Sequence, residues 1–121
     1  MAFGRPRRVG PTRVTGWIDR TEIVGEFPYQ DAIAKVVAER GMTGHVVRVA
    51  VAEDDTVTVS FVQGEQLLPC GRLPDEYAAT YVDLFRTIYA AGNVIEVPAQ
   101  IFGGTEDKPH FGVWIGTDYA S

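Results

Sequence analysis

The chain is expected to fold as an α+β domain built on a small, curled antiparallel β-barrel of about six strands with two helices. Three observations predict this. Short runs of alternating or β-branched residues recur along the sequence. Only two segments carry a helical period of apolar residues. The strands follow one another across turn residues instead of alternating with helices, which argues against a parallel sheet. A length of 121 residues corresponds to one domain, and 45% hydrophobic residues suffice for one compact core.

The elements follow in order. Residues 1–12 place Gly4, Pro6, Gly10 and Pro11 among arginines, a stretch that buries little and is expected to be a mobile basic arm ahead of a single domain over 13–121. Residues 13–24, rich in Val, Thr, Ile and Trp17, suit one or two short strands. Pro28 disfavours helix at Phe27 but can open one itself. Tyr29, Ile33, Val36 and Val37 share one helical face and Gly41 is a natural stop, so a helix is expected over Tyr29–Arg40.

Val47, Val49 and Val51 alternate within His45–Ala52, Asp54-Asp55 signals a turn, and Val57, Val59 and Phe61 alternate with Thr56, Thr58 and Ser60. These residues predict a hairpin. A second turn at Gln63-Gly64-Glu65 leads to a short strand over Gln66–Cys70. Pro74-Asp75-Glu76 has the chemistry of a helix start. Tyr77, Tyr81, Leu84, Phe85 and Ile88 then form an apolar stripe that Gly92-Asn93 ends. Ile95, Val97, Ala99 and Ile101 alternate in a strand that Pro98 is expected to push to a sheet edge or a bulge. Gly103–Lys108 is a polar turn, and Phe111, Val113 and Ile115 form a last strand.

The net charge of −5 is unevenly spread. Residues 1–20 hold five arginines against Asp19, a net of +4, and the remainder holds six basic and fifteen acidic groups, a net of −9. An acidic body is a poor general binder of nucleic acid, because backbone affinity comes from neutralised phosphates. The basic arm can touch phosphates, touch an acidic partner, or serve solubility alone. No apolar run is long enough to cross a bilayer, none follows the arginines as a secretory signal requires, and Cys70 has no second cysteine to pair with. A cytoplasmic protein away from the membrane is expected.

No residue pattern points to catalysis, a metal or a cofactor. His45 and His110 are far apart in sequence and lack the spacings used by metal sites or nucleophilic triads, so they are expected as ordinary strand-end residues. Cys70 lies in an apolar strand, as a small buried hydrophobe does. Asp54-Asp55 and Glu106-Asp107 suit solvated turns, without the spacing of a calcium loop. Gly103-Gly104 is not followed by the Lys-Ser/Thr of a phosphate cradle. A hydrolase or nuclease built on the carboxylates would need metal-dependent cleavage through Asp54 and Asp55.

Three segments resemble a known family. Ile23-Val24-Gly25-Glu26 followed by Tyr29-Gln30-Asp31-Ala32-Ile33 resembles the opening strand and helix of bacterial HIRAN domains. Gly71-Arg72-Leu73-Pro74 with Glu76, Ala78 and Tyr81 is similar to the family's central stretch. Ala99-Gln100-Ile101-Phe102-Gly103-Gly104 with Gly112-Val113-Trp114-Ile115 is similar to its ending. The segments keep family order and cover about Glu22–Ile115. The resemblance implies a stand-alone β-barrel of bacterial or phage type. It also implies a non-catalytic role in DNA repair or replication through recognition of single-stranded DNA ends.

One departure bears on that expectation. The family's Asn-Pro-containing segment between the central strands, which helps grip the DNA end, is shortened here to Glu53-Asp54-Asp55-Thr56-Val57, with an acid near Asp55 as the sole match. Phe27 and Tyr29 can stack on bases. Arg72, where the family more often has Tyr or His, can pair with a terminal phosphate. Asp54 and Asp55, two uncompensated carboxylates expected beside the same surface, oppose a phosphate backbone. Trp114 should point away from the barrel interior, either as a contact residue for a base or protein or as a residue covered by a helix. The alternative expectation is an acidic protein-interaction module on the same scaffold that has lost DNA binding and modulates a DNA-processing enzyme.

Overall fold

Alternating valines set the first hairpin. In a strand the side chains point to opposite faces in turn, so Val47 and Val49 of one strand and Val57, Val59 and Phe61 of the next bury a single face. The computed structural model describes residues 20–116, and the expected basic arm and any strand over 13–19 lie outside them. The strands are β1 (Thr21–Glu22), β2 (His45–Val51), β3 (Val57–Gln63), β4 (Gln66–Arg72), β5 (Ile95–Gly103) and β6 (Phe111–Ile115). The helices are α1 (Gln30–Arg40) and α2 (Asp75–Ala90), with a short 3-10 turn over Phe27–Tyr29. All six strands join one antiparallel sheet in the order β1-β6-β5-β2-β3-β4. The fold is the small, curled α+β architecture expected from the sequence.

The curl brings the two edge strands together at one end. Val24, just past β1, exchanges two backbone hydrogen bonds of 2.9 Å with Arg72 at the end of β4. Gly71 makes this approach possible. A Cβ there would stand 2.6 Å from the Val24 carbonyl oxygen and 2.9 Å from Ile23 Cδ1. The β3–β4 ladder also carries a bulge. Its register shifts between Val59 and Ser60, which face Gly71 and Pro69, so Cys70 is the extra residue on β4. The Cys70 thiol donates to the Val59 carbonyl at 3.5 Å.

The helices close the core. Ile33 and Val36 of α1 and Phe85 of α2 are fully buried with Ile23, Ile95, Ile101 and Ile115, and each such side chain contributes ~2 kcal/mol of burial. α1 packs against β4 and β6, and α2 against β2 and β5. No helix among the described residues is long and apolar enough to cross a membrane.

Several boundaries and placements differ from expectation. Tyr29 belongs to the 3-10 turn, its amide donating to the Glu26 carbonyl at 2.8 Å, so α1 starts one residue later than expected. β4 continues past Cys70 because the bulge absorbs a residue there and pairing resumes at Gly71 and Arg72. Leu84 leaves the apolar stripe of α2 at 46% exposure. Consecutive helical residues are about 100° apart, and the buried face is centred on Ala78 and Phe85. Pro98 does not force its strand to an edge: β5 lies between β2 and β6. A strand residue points its N–H and C=O to the same side. The Pro98 carbonyl accepts from Gly116 N at 3.0 Å, one residue past the last β5–β6 pair, Ala99 with Ile115. The missing donor therefore falls where that ladder ends.

Candidate functional site

The Val24–Arg72 bridge places the Gly25 turn and the Gly71 turn side by side. Over them lies an open depression of about 310 Å³, lined by Gly25, Pro28, Tyr29, Thr56, Thr58, Gly71 and Arg72. No carboxylate is among the lining residues. Thr58 faces outward directly opposite Arg72, and its hydroxyl donates to the Ala50 carbonyl at 3.3 Å.

Gly25 fixes where the arginine lies. Its φ of +76° is in the left-handed region, and a Cβ there would come 2.5 Å from Arg72 Nη1. The guanidinium therefore rests on bare backbone. Arg72 is exposed and makes no ion pair or side-chain hydrogen bond among the described residues. The other two arginines on the sheet and α2 are engaged: Arg48 meets the buried Glu96 at 2.6 Å, and Arg86 pairs with Asp55. Tyr29 is half-buried against the core with no hydrogen-bond partner for its hydroxyl among the described residues. Phe27 is 74% exposed and meets the His110 ring edge-on at 5.4 Å between centroids. It flanks Pro28 without lining the depression.

The remaining expected site residues lie elsewhere. Asp55 adopts a positive φ of 71° at the turn between β2 and β3 and pairs with Arg86 of α2. It is thus compensated, against expectation, by a cation one helix away. With Asp54 and Asp75 it lines a neighbouring depression that shares only Thr56 with the first. Two hydrogen bonds from Thr56, one from its amide at 3.0 Å and one from its side chain, hold the Asp54 carboxyl below its ordinary value. Trp114 is half-buried on the face of β6 opposite the buried Val113 and Ile115, as expected. It lines a separate depression with Arg20, Pro98 and Gln100, and the Arg20 guanidinium lies 4.8 Å above its ring. Of the five residues, the fold brings Tyr29 and Arg72 together, leaves Phe27 adjacent, and separates Asp55 and Trp114.

Four positions shape this region without having been expected to. Gln30 ties α1 to β6 through both backbone groups of Phe111. Thr56 and Thr58 floor the depression. Arg86 neutralises Asp55. Only the outward alternation of the threonines was available as a signal in the sequence, and the other two depend on contacts across 81 and 31 residues.

Other reactive groups are structural. His45 is buried, its Nε2 hydrogen-bonded to the Gly41 carbonyl at 2.7 Å and its ring edge-on to Phe61. That contact requires the proton on Nε2, since a carbonyl only accepts. Burial, with a smaller push from Glu26, raises the Cys70 thiol to about 12. Burial also raises the Glu26 carboxyl above its ordinary value, partly offset by backbone hydrogen bonds. Among the described residues no group of three or more His, Cys, Asp or Glu side chains is placed to hold a metal ion.

Fold and site together define a small curled-sheet domain with a surface depression lined by Tyr29 and Arg72 beside the Val24–Arg72 bridge. No protein-family model matches the chain, nor does any curated protein or solved structure.

Proposed function

We propose that the chain is a non-catalytic, DNA-associated module of HIRAN type that takes the end of a single strand into the depression between Gly25 and Gly71. The observation that carries this reading is the lining itself: one aromatic ring, one guanidinium without an ion pair among the described residues, two bare stretches of glycine backbone and no carboxylate. Aromatic faces accept any base, and a guanidinium without a carboxylate partner can pair bidentately with a phosphate. The resemblance in three ordered segments supports it, and it suits a role in DNA repair or replication in the cytoplasm. Anisotropy titration at low salt with a linear single strand and a circular strand of the same length tests it. Tighter binding of the linear strand is expected, and equal or undetectable binding of the two overturns end recognition.

A specific observation favours a second reading, an acidic protein-interaction module that modulates a DNA-processing enzyme. The neighbouring depression is lined by Asp54, Asp55 and Asp75, beside a body of net charge −9. Such a face can occupy a partner's basic cleft. Nuclease-treated pull-downs discriminate: a DNA-processing enzyme whose capture is lost in Asp54→Asn/Asp75→Asn supports this reading, and recovery of nucleic acid alone removes it.

A further inference from the structure

We infer that the depression between Gly25 and Gly71 selects a phosphorylated strand end, a terminal phosphomonoester, over a free hydroxyl end. This rests on the end-binding reading above and specifies the chemistry of the end.

The cation has no carboxylate partner among the described residues and lies against Gly25. Arg48 and Arg86 each have a carboxylate partner, whereas Arg72 has none among the described residues. Its guanidinium is laid on Gly25, where a side chain would collide with Nη1. A guanidinium in the lining offers a planar fork of N–H donors that matches phosphate oxygens. Tyr29 brings its hydroxyl as a second donor to the same lining, without a hydrogen-bond partner among the described residues.

The ligand chemistry follows from counting charge and acceptors. A terminal phosphomonoester carries about −1.5 to −2 at neutral pH and three free oxygens, enough for a bidentate guanidinium contact and a further hydrogen bond. An internal diester carries one charge, and a hydroxyl end carries none. The difference in attraction is therefore greatest at a phosphorylated terminus. The volume of about 310 Å³ is at the lower end for small-ligand pockets, suited to one terminal nucleotide and not to a run of them. Glu26 follows Gly25 in the chain, and burial raises its carboxyl above the ordinary value, whereas Asp54 lines the adjacent depression, is exposed, and is held by its own turn through Thr56. Solvent screens its repulsion.

Four single strands of one sequence test the inference with the full chain: hydroxyl at both ends, 5′-phosphate, 3′-phosphate, and circular. The two phosphate positions are separate arms, and a gain in either or both identifies the end recognised. A phosphorylated strand is expected to bind about tenfold tighter than the hydroxyl-ended strand. Arg72→Gln, an exposed change that leaves the unfolding midpoint in place, is expected to remove that gain. Tyr29→Phe is expected to reduce it about two- to threefold. Hydroxyl and phosphorylated ends that bind alike, both above the circle, overturn the inference and leave end binding standing. A phosphate advantage that survives in Arg72→Gln also overturns it. Linear strands that bind no better than the circle remove both.

Discussion

Gln30 holds both backbone groups of Phe111. Its Oε1 accepts from the Phe111 amide at 2.7 Å, and its Nε2 donates to the Phe111 carbonyl at 3.0 Å. A side-chain amide has the same donor and acceptor as a peptide group, so the first turn of α1 acts as a strand neighbour for the first residue of β6. This contact fixes the helix beside the 3-10 turn that carries Tyr29. Gln30→Ala is expected to cost about 1–3 kcal/mol, because two partly buried backbone groups lose their partners. Urea denaturation checks this, and a change below 0.3 kcal/mol would mean that water replaces the amide without loss (about the scatter of such measurements).

Gly71→Ala should be among the most damaging single-methyl changes. The added carbon meets the Val24 carbonyl oxygen, a backbone atom that cannot move without opening the Val24–Arg72 bridge. A loss of about 2 kcal/mol or more is expected. Hydrogen exchange supplies the local readout: the Val24 and Arg72 amides should lose protection before those of β2 and β3.

Arg48 and Glu96 face each other across β2 and β5, and the Glu96 side chain is nearly buried. Removing the arginine alone deprives a nearly buried carboxylate of the cation 2.6 Å away. Arg48→Met is expected to cost about 3 kcal/mol at neutral pH, whereas the double change Arg48→Met/Glu96→Leu should recover most of it. A double-mutant cycle measures the difference, and equal losses in the single and double variants would contradict it.

Glu26 gives the chain a pH dependence of definite sign. Burial raises its carboxyl above the ordinary value of 4.5, with Glu22 adding to the shift and backbone hydrogen bonds opposing it. The folded chain therefore keeps a proton that the unfolded chain releases. Its contribution to stability is present at low pH and is lost as pH rises from 4.5 through the raised value. Glu26→Gln should remove that part of the decline between pH 4.5 and neutrality, as followed by thermal unfolding across this range. An unchanged difference from the parent at every pH would contradict the assignment.

Cys70 should be inert while the chain is folded. Its thiol is buried and raised to about 12, and the thiolate is the reactive form. Labelling by a thiol reagent at pH 7 is expected to be slow and to accelerate sharply at the urea concentration that unfolds the chain. Fast labelling under native conditions would show that β4 opens locally.

The parts of this fold legible in the sequence are those set by local alternation and local period. The valines of β2 and β3 and the aromatic stripe of α2 announce their elements within a few residues. What escaped depends on distant partners. Pro98 reads as an edge residue until Gly116 is known to be the last contact of β5 on that side. Asp55 reads as an uncompensated acid because Arg86 approaches it from a helix 31 residues away. Trp114 and Tyr29, both aromatic and both near family-like segments, end in different depressions because β6 and the 3-10 turn face different ways.

The extra residue at Cys70 sets the parity of everything after it in β4. Leu68 lies opposite the inward Phe61, so uninterrupted alternation would send Cys70 inward, Gly71 outward and Arg72 into the core. With one residue looped out, Gly71 faces the inward Val59 and Arg72 faces the outward Thr58. An arginine at position 72 stays outside only while Cys70 is left out of the ladder. Regular pairing of Cys70 with Val59 would carry Arg72 opposite the buried Val57 and swing a guanidinium among valines.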